Sequence, residues 1–152
     1  MVTSVNPSSA PAWQLLKRSG HQYALSLTAG SELLERVRPA PIPLPPRGVA
    51  GLISWKGEPV ILCDLQLLLG GERSYLSTRA LVIGQGAQAV ALAIDSLPNI
   101  VRAHPAAQRP INSPWLLAPL SQCVSAWIVT DEGAILPVLE INPLMQYLTQ
   151  TQ

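Results

Sequence analysis

Phenylalanine is absent from the 152 residues, and aromatic side chains make up only 5% of them. The core must therefore be built mostly from Val, Ile, Leu and Ala, in a chain whose apolar content reaches 48%. Charge is scarce as well: charged residues make up 12%, ten basic against nine acidic, for a net charge of +1. They are scattered singly, so the basic footprint that a nucleic-acid backbone demands is missing and nucleic acid is not an expected partner. The two cysteines, Cys63 and Cys123, lie in apolar strand-like runs without metal-ligand spacing. They read as buried reduced thiols of a cytoplasmic protein, with no metal site. No apolar run approaches the roughly 18 to 20 residues of a membrane helix, so no direct membrane insertion is expected. Residues 1–11 lack the basic and apolar regions of a secretory signal and read as a disordered lead-in. His21 and His104 stand far apart, each in a turn-like context and neither beside a nucleophile. Gly84-Gln85-Gly86 lacks both the third glycine of a dinucleotide fingerprint and the Lys-Ser/Thr of a phosphate loop, and reads as a hairpin turn. No catalytic residue and no cofactor are expected.

What is present is organised around residues 51–65. Gly51 to Trp55 reads as a strand, Lys56-Gly57 as a tight turn and Glu58 to Cys63 as a second strand, with Asp64 as the N-cap of a short helix that stops at Gly70-Gly71. Before this stretch, residues 13–16 and 22–27 form an expected hairpin about the charged turn Lys17 to Gly20. Ser31 to Arg38 has the composition of a short helix capped by Ser31, ended by the prolines at 39, 41, 43, 45 and 46. That proline run reads as an extended connection on the domain surface, anchored by Ile42 and Leu44; a linker or a ligand for a proline-reading module is the alternative. After it come a hairpin over 78–94, a strand over 97–101, a hairpin over 125–139, and a helix with Asn142 as cap and Pro143 at its first position. Many short strands with frequent turn signals point to an all-β barrel or sandwich.

Two groups of residues invite a functional reading. Asp64 and Asp95 close strand runs; as an acid–base pair they would have to face each other in a cleft, whereas as cap and turn residues they are already explained. Trp127 reads as core. Trp55 stands beside the Lys56-Gly57 turn, where a large ring is hard to bury, and Trp beside a cation makes a contact surface.

The chain resembles the CheW-like coupling domains of bacterial chemosensory systems. The resemblance rests on Tyr23-Ala24-Leu25, Glu32-Leu33, the prolines through Pro46, residues 51–57, Val60 to Cys63, Asp64-Leu65, Ile94-Asp95 and Leu139-Glu140, and covers about residues 12–148. It implies an all-β fold of two small SH3-like barrels with short helices, one lobe near 19–82 and the other near 83–147 completed by the strand at 12–17. It also implies a non-catalytic adaptor that couples the cytoplasmic tip of a methyl-accepting receptor to the regulatory domain of a histidine kinase, in flagellar chemotaxis or pilus-linked twitching motility. Glu32, Trp55 and Lys56 would contact a partner, while Gly51, Gly57, Asp64 and Asp95 hold turns and caps. A small barrel that binds nucleic acid or another ligand is the alternative. Three departures from the family pattern stand out: Ser54-Trp55-Lys56 replaces Asn-Leu-Arg, Gly30 replaces Val, and Glu140 replaces Asp.

Overall fold

Alternation of apolar and polar residues, interrupted by glycine and proline, divides the described residues into ten strands. The computed structural model describes residues 10–26, 31–70, 79–84, 89–106 and 116–150, with side chains through 148. Its strands are β1 (Ala12–Arg18), β2 (His21–Ser26), β3 (Ser31–Leu34), β4 (Val49–Trp55), β5 (Glu58–Cys63), β6 (Arg79–Ile83), β7 (Val90–Ile94), β8 (Ile100–Arg102), β9 (Val124–Val129) and β10 (Ile135–Leu139). Helix α1 (Leu65–Leu68) follows β5, and α2 (Ile141–Gln150) follows β10. The strands form two five-stranded sheets, ordered β8-β1-β2-β10-β9 and β3-β6-β7-β5-β4. The expected all-β class with two curled sheets and short helices is therefore what is found.

Each sheet is closed across its open side by its own chain. Beyond β3, Ala40 exchanges both backbone hydrogen bonds with Leu52 of β4, at 2.7 and 2.9 Å. Beyond β8, Ala106 does the same with Trp127 of β9, at 2.8 and 2.8 Å. The bridges cover part of each sheet edge, where unpaired N–H and C=O groups would otherwise stand exposed. Gly51 lies against the first bridge: a Cβ there would sit 2.6 Å from the Ala40 carbonyl oxygen.

The two sheets repeat one another in permuted order. Each has two antiparallel hairpins joined through a parallel pair, Leu62 beside Ala91 in one and Val138 beside Ala24 in the other. The hairpins β4–β5 and β9–β10 even carry their bulge at the same place, between Val49 and Gly51 and opposite Val138/Leu139. Asp64 N–H donates to the Gly48 carbonyl and Glu140 N–H to the Cys123 carbonyl, both at 2.8 Å. In the permuted sheet β1 and β2, from the N-terminus, fill the places of β6 and β7.

The lobe boundary at 82/83 does not coincide with this division. One sheet is drawn from 31–94 and the other from 12–26 and 100–139. The reason is local: β1 and β2 pair across the two-residue turn Ser19-Gly20, and β6 pairs with β7, and such hairpin neighbours stay in one sheet. The turn at Ser19-Gly20, with φ of 52° and 84°, is also tighter than the four-residue charged turn expected, so Lys17 and Arg18 are strand residues. Of the expected lead-in, residues 1–9 lie outside the described residues; Ala10 is buried and its carbonyl accepts from Arg102.

Four further expectations are corrected. Ser31 to Leu34 is strand, not helix, because its backbone pairs with β6 from Ser31↔Ile83 to Leu34↔Ala80, and the stretch before Pro39 is too short to hold a helix alone. Of the two proposed anchors, Ile42 packs on the core but Leu44 is 97% exposed, with φ at 48°. That left-handed bend breaks the polyproline conformation a proline-reading groove would require. Residues 96–99 lend carbonyls to β1, Ser96 to Lys17 N–H and Asn99 to Leu15 N–H, so the strand expected at 97–101 is confined to 100–102. Helix α2 begins at Ile141, which puts Pro143 at its third position. Gln85 and Gly86 of the expected turn lie outside the described residues.

The interior follows the composition. Cys63, Leu65, Leu68, Leu92, Ile94, Leu120 and Leu144 are fully buried in one cluster shared by both sheets and both helices. Cys63 and Cys123 are buried and unbridged. Burial, reinforced by the charge of Asp64, pushes the Cys63 thiol above its ordinary range and leaves it inert.

Among the described residues one cation is buried in this apolar frame. Arg18, 3% exposed at the end of β1, donates from Nε and Nη2 to the two carboxylate oxygens of Asp64 at 3.0 and 2.7 Å. Its Nη1 donates to Asp95 at 2.8 Å. Burial opposes the charge on Arg18, but the hydrogen bonds and charges of Asp64 and then Asp95 outweigh it and raise its pKa further. Asp64 also accepts from Gln66 N–H at 3.0 Å as the cap of α1, and Asp95 accepts from Ser19 N–H at 2.8 Å. Arg18 belongs to one sheet and both carboxylates end strands of the other, so the network latches the two together.

Arg18→Met leaves Asp64 buried without a counter-charge and is expected to cost about 3 to 5 kcal/mol in urea unfolding. Asp64→Asn keeps a capping side chain, because Asn and Asp cap equally well, so a loss of the same order there assigns the effect to the ion pair. Leu44→Asn relieves a left-handed Leu that is almost wholly exposed, and is expected to raise stability by about 1 kcal/mol, read as a higher urea midpoint with unchanged m-value.

Candidate functional site

The hairpin β4–β5 turns through Lys56 (φ 51°) and Gly57 (φ 77°), the mirror-image turn whose twist matches the flanking strands. The turn exposes Lys56 and leaves Trp55 half-buried, its ring packed on the small cluster of Ala50, Ile53 and Val60. Glu32 is exposed on β3, far away in sequence. The Ala40 bridge draws β3 and β4, the two ends of the sheet order, together. Trp55 Nε1–H consequently donates to a Glu32 carboxylate oxygen, and Lys56 Nζ stands 4.6 Å from the centre of the Trp55 ring. The structure thus gathers Glu32, Trp55 and Lys56 into one surface cluster: an anion at the ring's edge, a cation over its face.

Asp64 and Asp95 converge too, but on Arg18. The side chain of Asp64 is 7% exposed and that of Asp95 31%, and the one guanidinium between them pairs with both. This geometry suits a latch and not an acid–base pair, which would need a proton to move between a carboxyl group and a substrate. Gly51 and Gly57 occupy the close approach and the turn described above. Glu140 accepts from Ser125 Oγ at 2.6 Å at the end of β10. His21 opens β2, where burial lowers its basicity, and His104 is exposed. Among the described residues no group of His, Cys, Asp or Glu has the arrangement to hold a metal ion, and no helix is long and apolar enough to cross a membrane. Trp115 lies outside the described residues.

Sequence reasoning misses Arg18, which it places in the charged turn Lys17 to Gly20. The available signal was slight: a lone cation ending an alternating strand, in a chain with two Asp residues that also end strands.

Fold and site together define a two-barrel all-β module with a polar-rimmed tryptophan on one barrel and a buried ionic latch between the two. The family model of the CheW-like domain matches residues 14–148, and the chain belongs to that family, whose members serve chemotaxis as non-catalytic scaffolds and adaptors. Among solved structures, the chain is similar to the scaffolding protein TtCheW from Thermoanaerobacter tengcongensis, with a TM-score of 0.71 over 92% of this chain and 90% of that one at 16% identity. No curated protein sequence matches it.

The Glu32–Trp55 contact predicts a spectroscopic signature. Glu32→Ala is expected to move the Trp55 indole N–H proton resonance upfield, while Lys56→Met leaves that proton bonded; because the pair is exposed, Glu32→Ala should cost less than about 1 kcal/mol in unfolding.

Proposed function

We propose that this chain is the adaptor joining the cytoplasmic tip of a chemosensory receptor to the regulatory domain of a histidine kinase, and that Glu32, Trp55 and Lys56 contact one of these partners. The observation that carries the reading is the cluster itself. A half-buried tryptophan packs on a barrel core, its indole N–H bonded to Glu32 and the Lys56 ammonium over its ring. Tryptophan is among the residues that dominate binding energy, and a ring already fixed in place loses little freedom on docking. Lys56 stands where the family pattern has Arg. An ammonium is a point charge without the planar fork of a guanidinium, so the partner has to offer a single acceptor to it and not a bidentate one. The kinase and receptor tip that bind this chain decide whether it serves flagellar chemotaxis or a pilus-linked pathway, and both place it in the cytoplasm.

Calorimetric titration of the full chain with the regulatory domain of the chemosensory kinase from the same cell, and separately with the receptor tip, tests this. Binding to both is expected, with Trp55→Ala and Lys56→Glu weakening the same partner by about tenfold or more; Lys56→Glu keeps the unfolding free energy within about half a kcal/mol of the parent, whereas Trp55→Ala, which uncovers Ala50, Ile53 and Val60, costs about 1 to 2 kcal/mol and still folds. No heat with either partner overturns the adaptor reading; unchanged affinities for both variants remove the cluster from the interface.

A further inference from the structure

The strap that closes the first sheet has a second feature, separate from the tryptophan cluster. Pro41, Ile42, Pro46, Val49 and Leu67 wall an open groove of about 380 Å³, with Arg47 on its lining. From Arg36 to Arg47 the strap carries Arg36, Arg38 and Arg47 and no acidic residue, and all three arginines are exposed. Among the described residues none of the three makes an ion pair. Beside the groove Leu44 is 97% exposed and held at a φ of 48°, the most exposed large apolar side chain of the described residues. Ala40 anchors one end of the strap to β4, and Val49 N–H, bonded to the Pro46 carbonyl at 3.1 Å, anchors the other.

We propose that this groove docks an extended protein segment in which a bulky apolar side chain is followed or preceded by a carboxylate. The apolar side chain enters between the prolines and Val49, Arg47 takes the carboxylate through its planar fork, and Leu44 packs on the segment from the side. The charge of the strap selects the occupant. Arg47 on the groove, with Arg36 and Arg38 farther along the strap and Glu35 as the one carboxylate flanking it, leaves the strap net positive, so it repels a basic peptide and attracts an acidic one, and a guanidinium binds a carboxylate more specifically than it binds a diffuse anion. The volume is at the low end of what pockets enclose, which suits a side chain or two and not a whole helix. Prolines on the walls carry no backbone N–H to lose from water, so covering them costs less than covering an ordinary loop.

A random hexapeptide library sorted on the purified full chain tests the proposal without any chemosensory partner. Peptides pairing an apolar residue with Asp or Glu should be enriched. Selected peptides, measured by fluorescence anisotropy, should bind Arg47→Glu about tenfold more weakly and Leu44→Asn severalfold more weakly, with no loss in thermal unfolding midpoint and with Lys56→Glu indistinguishable from the parent. Three results would overturn it: selection without acidic preference, equal binding by Arg47→Glu, or phosphatidylglycerol vesicles or a second copy of the chain as the only Arg47-dependent ligand.

Discussion

One guanidinium inside an apolar chain is the constraint from which much of the structure follows. Arg18 is fixed by three hydrogen bonds to two carboxylates. A cation cannot remain in such an interior unless its donors are satisfied, and these carboxylates satisfy them only if the first sheet ends its strands β5 and β7 at the tip of the β1–β2 hairpin. β5 and β7 are parallel neighbours, so Asp64 and Asp95 emerge at the same end of one sheet. The latch therefore works as a register device: a slip in either strand pair would strand a buried charge. Asp64 adds the cap of α1 to the same carboxylate, and Asp95 adds the Ser19 N–H of the hairpin turn, so helix, turn and sheet contact are tied through three side chains.

The permuted repeat explains why the latch is needed. A barrel built from consecutive strands is held by its own connections, as the strap does through Ala40 in the first sheet. The second sheet takes β1 and β2 from the opposite end of the chain, and its β10 meets β2 through the parallel pairing of Val138 with Ala24. Such non-local pairing carries the full entropy of closing a long loop before it gains contact energy. Anchoring the N-terminal hairpin to the already local β5–β7 unit through Arg18 reduces that burden, since the hairpin is then held on two sides. The bonds from Lys17 and Leu15 N–H to Ser96 and Asn99, and from Asp95 N–H to the Lys17 carbonyl, reinforce the same seam.

Local signals were legible in the sequence, and long-range ones were not. The hairpin at Lys56-Gly57, the cap at Asp64, the core position of Trp127 and the class of fold follow from turn chemistry, capping and period-two alternation, which act over a few residues. Ser31 to Leu34 was misread as helix because its strand state depends on β6, some fifty residues away in sequence. Leu44 was misread as an anchor because alternation in a proline run says nothing about which way a left-handed residue turns. The burial of Arg18, placed by its sequence in a charged turn, is hidden for the same kind of reason: arginine is rarely buried unless paired, and its partners lie 46 and 77 residues further on. The cluster of Glu32 with Trp55 was named from residue type and family pattern. Their contact depends on the Ala40 bridge, which no spacing reveals.

The hairpin β4–β5 joins these two levels. At its base Asp64 is held in the latch, and at its tip Trp55 and Lys56 stand in the surface cluster; β5 between them is six residues long, about 20 Å of strand. The strand is paired on both sides, with β4 and with β7, and Gly51 lets the strap lie directly on its partner. A tip supported in this way cannot rearrange to suit a partner without disturbing bonds along the whole hairpin. In the partner contact proposed for it, the tip would be met as a preformed surface, so little binding free energy would go into ordering the site. The substitution of Trp-Lys for Leu-Arg at that tip then changes the chemistry presented while leaving the support intact. A planar donor fork gives way to a broad ring with one cation over its face, and the Glu32 carboxylate that remains exposed is turned toward the ring. Selectivity for a partner can drift at the tip while the latch at the base, on which the fold depends, stays as it is.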